Sequence, residues 1–438
     1  MQQGITAIRG AVLSFSGDPF QKDIEDCMIY ESDAIIVMAD GKITQFGPAD
    51  SILETLPTDT PITHYQDSII TAGFIDCHVH YPQTQIIGAF GKQLIDWLNK
   101  YTFIAEQQFK SKEHSSEVSK TFLHECLRNG TTTTSTFCTV FPESVDAFFE
   151  ESEKLGMRNI AGKVMMDRNA PDALTDTPQQ GYDETKALIE KWHGKGRQLY
   201  CVTPRFAPTS SPEQMEMTGK IWKEHPGTYL QSHVSENLGE VAWVKELYPE
   251  CSGYLDVYDK FGQLGPRAIY GHGIHLTEQE LQRCHDTGTA LAHCPTSNLF
   301  LGSGLFDVAN AMKSERPVRV GLATDLGAGT SFSMLQTMNE AYKVAQMNGV
   351  PLSSGHAFYL ATRGTAHALY LDDKVGSIAP GMEADLVVLD LNSTPIIKYR
   401  MEFCKDIQEV LFVLMTMGDD RATRATYVAG NLVYEKTE

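Results

Sequence analysis

The 438-residue sequence predicts an α/β protein, a (β/α)8 TIM barrel carrying a small β-sandwich domain built from both chain ends. Three observations predict it. Eight short apolar or β-branched runs alternate with helical patterns through the middle of the chain. Both ends instead read as strands joined by tight turns. Histidines and acidic residues gather at the C-terminal ends of the runs, where barrels of this kind carry their chemistry.

Taken in order, residues 5–70 are β-rich. Two apolar segments flank Asp40-Gly41, a hairpin signal. Residues 57–61 are Thr, Pro and Asp and read as a loop. The eight central runs are 74–80, 132–137, 160–167, 199–206, 229–236, 268–276, 290–295 and 318–325. Between them, the helix over 143–155 ends at Gly156, a C-cap residue. Leu188, Ile189 and Trp192 set a helix over 185–192. Ser211-Pro212 opens another, with a capping Ser before Pro at the first position. Thr277 and Glu280 have capping-box spacing. The connection after the first run, 81–112, is unusually long. It holds Phe90, Leu94, Trp97, Leu98, Tyr101 and Phe103, which suit either a lid over a site or a short helix on the rim. After Gly376 the β texture returns, with a buried-type strand over 384–389 and a turn at Ala429-Gly430-Asn431. The expected domains are therefore 1–71 with 377–438, and a barrel over 72–376.

Bulk properties narrow the function. A formal net charge of −20 argues against a nucleic-acid partner. No apolar run is long enough to span a bilayer. Met1 to Arg9 lack the layout of a secretory signal, so a cytoplasmic protein is expected. Nine scattered cysteines with no CxxC pair suit reduced thiols. They also exclude the deaminase class that holds zinc through HxE and PCxxC.

His78 and His80 end the first run, and residues i and i+2 of a strand face the same side. Alone, such a pair is more often a coincidence of a buried strand than a metal site. Further polar residues at the same rim change that: His233 ends the fifth run, His272 lies in the sixth, and Asp325 ends the eighth. His78, His80, His233 and Asp325 make a three-nitrogen, one-oxygen ligand set for a zinc-type ion, with water completing the site. Glu236, three residues past His233, is placed to move protons, and equally to cap the following helix. His272 would stabilise the developing oxyanion, and Asp325 would also accept a proton from the water. A two-metal site would want a bridging lysine at the fourth run, but Pro204-Arg205-Phe206 stand there and Lys163 lies mid-run on the third. One metal is therefore expected. Arg205 offers a fork of donors for a carbonyl and a ring nitrogen, or a salt bridge across the rim. Phe206 offers a ring, and Gln83 both donor and acceptor.

These residues resemble the amidohydrolase superfamily, and in it the guanine deaminases, over nearly the whole chain. The first-strand motif reads Ala72-Gly73-Phe74-Ile75-Asp76-Cys77-His78-Val79-His80, with Ala72 where the family has Pro. More specific segments are His80-Tyr81-Pro82-Gln83, Asp96-Trp97-Leu98-Asn99, 163–171 and 203–210. So are His233-Val234-Ser235-Glu236-Asn237, 293–298 and 324–329. The resemblance implies hydrolysis of guanine to xanthine and ammonia in a homodimer. It implies one zinc per subunit on His78, His80, His233 and Asp325, although imidazole and carboxylate also suit iron. It places Gln83, Arg205, Phe206 and Glu236 against the purine, with His80, His233 and Asp325 reaching it from the metal side. Two other readings stay open on the residues alone. One is deamination of cytosine, an adenosine-type thioether or a triazine on the same scaffold. The other is a non-catalytic relative, whose mark would be missing ligands.

Overall fold

The computed structural model describes residues 4–90 and 94–437. Residues 1–3 and 438 of the chain ends, and 91–93 of the long connection, lie outside the described residues. Four strands come first: β1 (Thr6–Phe15), β2 (Met28–Ala39), β3 (Lys42–Pro48) and β4 (Ile62–Ala72). The central strands are β5 (Phe74–His80), β6 (Thr131–Phe137), β7 (Arg158–Gly162), β8 (Val164–Met165), β9 (Leu199–Pro204), β10 (Tyr229–Val234), β11 (Ala268–His272), β12 (Ala290–His293) and β13 (Arg319–Leu322). The last three are β14 (Leu386–Asp390), β15 (Thr423–Val428) and β16 (Asn431–Glu435).

Seven strands from the two ends form one sheet in the order β16-β15-β14-β4-β1-β2-β3. The sheet curls until its β3 edge meets the segment just ahead of β14, with Lys42 bridging Glu383 and Ala384 N–H donating to Gly41 O at 2.9 Å. The two faces of the small β-domain are thus one continuous sheet around Ile8, Val12, Ile36, Ile70, Leu386 and Val388. Both tight turns use left-handed pairs, Asp40-Gly41 (φ 48° and 79°) and Ala429-Gly430 (φ 46° and 74°), which match the twist of hairpin strands.

The central strands run parallel from β5 to β13, with β8 a short continuation of β7 that pairs β9. The barrel closes between β13 and β5. There Asp325 N–H donates to His78 O at 3.0 Å, and the Asp76 carboxylate takes the Thr324 hydroxyl and its N–H. All eight expected runs are present, but most stop short of the expected end. Ser235 (φ 48°), His272 (φ 72°) and Asp325 (φ 47°) adopt left-handed backbone there, which cannot continue a strand.

The helices follow their end signals. Pro142–Leu155 stops at Gly156 (φ 67°), Pro212–Glu224 is capped by Ser211, and Glu278–Thr287 carries the Thr277–Glu280 box. The helix expected over 185–192 is the second half of Pro178–Trp192; Gly181 interrupts its apolar pattern early on. The long connection folds into short turns: Tyr81–Ile86, Leu94–Trp97, Leu98–Thr102, Phe103–Glu106 and Gln107–Lys110. No helix among the described residues is long and apolar enough to cross a membrane. All nine cysteines are unpaired.

Candidate active site at the C-terminal rim of the barrel

The strand ends bring the four expected ligands together. His78 and His80 leave β5 on one face and are buried. His80 Nε2 faces His233 Nε2 at 3.1 Å. Asp325 Oδ1 lies 3.6 Å from His78 Nε2 and 3.5 Å from His80 Nε2. These are too long for good hydrogen bonds, yet close to the spacing of about 3.3–3.4 Å between ligands of one tetrahedral zinc. Neither ring nitrogen of His78, nor Nδ1 of His80, has a hydrogen-bond partner among the described residues. Buried polar atoms left so are rare unless something else binds them. His233 Nδ1 donates to Arg205 O at 2.6 Å, which leaves Nε2 as a lone-pair donor aimed at the cluster. Burial and mutual repulsion hold all three imidazoles well below 6.5, so they are neutral, the ligating form. The donor set therefore fits a zinc-type ion. Gly271 makes room for it: a Cβ there would stand 2.5 Å from His78 Cε1.

Beside this cluster stand the proton-handling groups. Glu236 Oε2 is 3.4 Å from His272 Nε2, whose other neighbour is Asp325 Oδ2 at 3.8 Å. Burial pushes the Glu236 carboxyl up to about 7, a value suited to gaining and losing a proton near neutrality. Burial lowers His272, but Glu236 and Asp325 outweigh it and leave the imidazole raised. Its Nδ1–H donates to Asn298 Oδ1 at 2.8 Å, which turns Nε2 to the site. Glu236 is not itself the helix cap. Asn237 caps Leu238–Leu247, and Glu240 Oε2 accepts the N–H groups of Glu236 (2.8 Å) and Asn237 (3.1 Å). Ser303 Oγ donates to Glu236 Oε1 at 3.1 Å.

A cavity opens onto these groups. Leu94, Trp97 and Leu98 of the long connection line it, with Gln83, Arg205, Phe206, Leu301 and Ala328. The connection therefore covers the site, while Phe90 is 67% exposed and turned away. Arg205 lines the cavity, and its Nη1 donates to both oxygens of Glu106 at 3.0 and 2.8 Å. Phe206 meets Trp243 edge-on with centroids 6.2 Å apart. Lys163 is turned away from the cluster, paired with Asp176 and 3.3 Å from Glu184 Oε2.

Two specific segments lean on one another. Asp167 and Arg168 N–H groups donate to Thr209 O at 3.0 and 3.3 Å. Asn169 Nδ2 donates to Pro208 O at 2.7 Å. The loop after β8 thus props up the Arg205-Phe206 loop. Sequence reasoning missed Glu106, Asn298, Ser303 and Glu240. It also missed Cys294, whose sulfur lies within 4.8 Å of donor atoms of His78, His272 and Asp325. Asn298 and Cys294 fall within the family segment 293–298, and Glu240 has capping-box spacing from Asn237; Glu106 and Ser303 carried no such signal.

This chain is similar to known proteins along nearly its whole length. The E. coli guanine deaminase is 47% identical over 99% of this chain and 98% of its own. The solved E. coli structure matches with a TM-score of 0.96 and 45% identity, covering 99% of this chain and 100% of that one. The guanine deaminase from C. acetobutylicum, solved with bound guanine in the active site, matches with a TM-score of 0.87 and 30% identity over 98% of this chain and 100% of that one. Residues 69–433 match the Amidohydrolase family, a span that runs from the end of β4 through the whole barrel into β16. The chain belongs to the amidohydrolase family.

Proposed function

We propose that this protein is a guanine deaminase, hydrolysing guanine to xanthine and ammonia. The observation that carries this is one cavity with a metal-type cluster and Glu236 on one side and the donors Arg205 and Gln83 on the other. Likeness to guanine deaminases along the full chain supports the choice of substrate.

His78, His80, His233 and Asp325 would hold one zinc ion per subunit. When bound, the ion acidifies a water and polarises the reacting centre. Arg205 donates to the oxygen at C6 of the purine, Gln83 reads the adjoining amide edge, and Phe206 packs on the ring. Glu236 takes a proton from the attacking water as its oxygen adds to C2. It delivers that proton to a ring nitrogen, N3 in our assignment. Glu236 then takes the remaining proton from the new C2 hydroxyl and passes it to the exocyclic amine; the C2–N bond breaks as the C2 carbonyl forms, and ammonia leaves. His272 donates to the oxygen arriving at C2, and Asp325 shares the proton load of Glu236. Leu94, Trp97 and Leu98 exclude bulk water.

The protein acts in the cytoplasm as a homodimer. Nine unpaired cysteines suit a reducing compartment. Ile396, Tyr399 and Phe403, each more than half exposed about the helix Pro395–Met401, offer an apolar face to a second chain.

The test is metal analysis with guanine turnover. About one tightly held ion per chain, loss of xanthine formation on chelation and its return with zinc are expected. Full turnover in metal-free protein contradicts the proposal.

A further inference from the structure

Glu106 is among the buried carboxylates that the proposed reaction does not use. Glu106 ends the short helix Phe103–Glu106 and is 1% exposed. Both its oxygens accept from Arg205 Nη1. Phe103, three residues earlier, sets its ring 5.5 Å from the guanidinium carbon. Nε and Nη2 of Arg205 make no protein hydrogen bond among the described residues. Burial raises the Glu106 pKa, and Arg205 and Gln83 work against that rise. Gly327 packs close to Gln83: with φ 126°, a Cβ on it would overlap Gln83 Oε1. The guanidinium of the recognition wall is therefore aimed by one buried carboxylate.

We infer that Glu106 is a positioning residue with a second effect: it cancels the charge of Arg205, so that the wall reads a neutral oxo-purine and releases an anionic product. This rests on the guanine deaminase reading. A buried guanidinium without a counter-charge would hold any anion tightly. Paired with Glu106, it acts as a fixed fork of donors whose remaining N–H groups suit a neutral carbonyl and a ring nitrogen. Guanine is neutral at working pH. Xanthine bears a second carbonyl in place of the amine and loses a ring proton more readily. Without Glu106, the product anion would become the better ligand.

The test compares metal-loaded wild type, Glu106→Gln and Glu106→Asp in guanine turnover, with xanthine as inhibitor on both sides of xanthine's ionisation. Glu106→Gln is expected to raise KM about tenfold or more with kcat little changed, because it removes ground-state aim rather than chemistry. It is also expected to tighten inhibition by xanthine on the alkaline side. Glu106→Asp keeps the charge and shortens the reach, so KM rises while xanthine inhibition stays as in wild type. It carries the charge test should Glu106→Gln fail to fold: tightened anion binding in Glu106→Asp would overturn the inference. An unchanged KM and unchanged xanthine response in Glu106→Gln, or a fall in kcat as large as that in kcat/KM, would also overturn it. Absence of ammonia release from guanine by the wild type would instead overturn the deaminase reading.

Discussion

Glu236 sits where desolvation outweighs its partners in setting its proton affinity. Its carboxyl is buried and pushed up to about 7, although Ser303 donates to it and His272 Nε2 lies 3.4 Å away. Glu236→Gln keeps size and hydrogen bonding but cannot carry a proton. It is expected to lower kcat by about 10²–10⁴ while metal content stays that of wild type. Turnover near wild type in a metal-replete variant would remove Glu236 from the proton path. A second expectation concerns Gly271. A Cβ there would meet the His78 ring, so Gly271→Ala is expected to lose the ion, read by metal analysis after dialysis. Retention of a full ion would show that His78 has room to move. The three imidazoles lie well below 6.5, so the ligating form should persist through that pH and give way only on further acidification.

At the scale of elements, the rim is built by loops that brace loops. The segment after β8 reaches across to the Arg205-Phe206 loop through Asn169, Arg168 and Asp167. Asn169→Ala removes the Nδ2 bond to Pro208 O and places a less tolerant residue at φ 53°. A loss of about 1–2 kcal/mol in stability is expected, with KM for guanine raised more than kcat is lowered. Equal effects on both constants would separate this loop from recognition. The same loops mark where sequence reasoning stopped. The eight strands and the His78, His80, His233, His272 and Asp325 cluster were readable because strand periodicity and strand ends place them together. Arg205 was readable because it stands where a bridging lysine would. Glu106 was not, because the 81–112 connection has no period that says which way its residues face. Asn298 and Ser303 were hidden likewise, being matched to His272 and Glu236 only through the folded rim. The expected strand ends ran long for a related reason, since nothing local announces a left-handed turn at His272 or Asp325.

At the scale of the molecule, the curled sheet is tied to the barrel through half-buried charge. Glu383, just before β14, binds Arg158 of β7 and Arg197 ahead of β9, and Arg197 also holds Asp385 at 2.5 Å. Removing Glu383 would leave two half-buried guanidinium groups short of a partner. Glu383→Ala is expected to cost about 3 kcal/mol in denaturant unfolding, with kcat of the folded enzyme unchanged. The pH sense follows from its pKa. Burial works to raise it, but Arg158 and Arg197 prevail and the carboxyl ends below 4.5. A depressed folded pKa gives stability that is present above the unfolded value and is lost as pH falls through the folded one. The stability gap between wild type and Glu383→Gln should therefore be full above pH 4.5 and shrink on acidification below it. A gap that widens on acidification would contradict the ion-pair origin.

Ammonia release from a panel of guanine, cytosine, adenine and S-adenosylhomocysteine by the zinc-loaded protein tests the proposed chemistry most directly. Release from guanine, with xanthine formed in equal amount and the other compounds turned over far more slowly, is the expected result. No release from guanine, with release from another member of the panel, would contradict it.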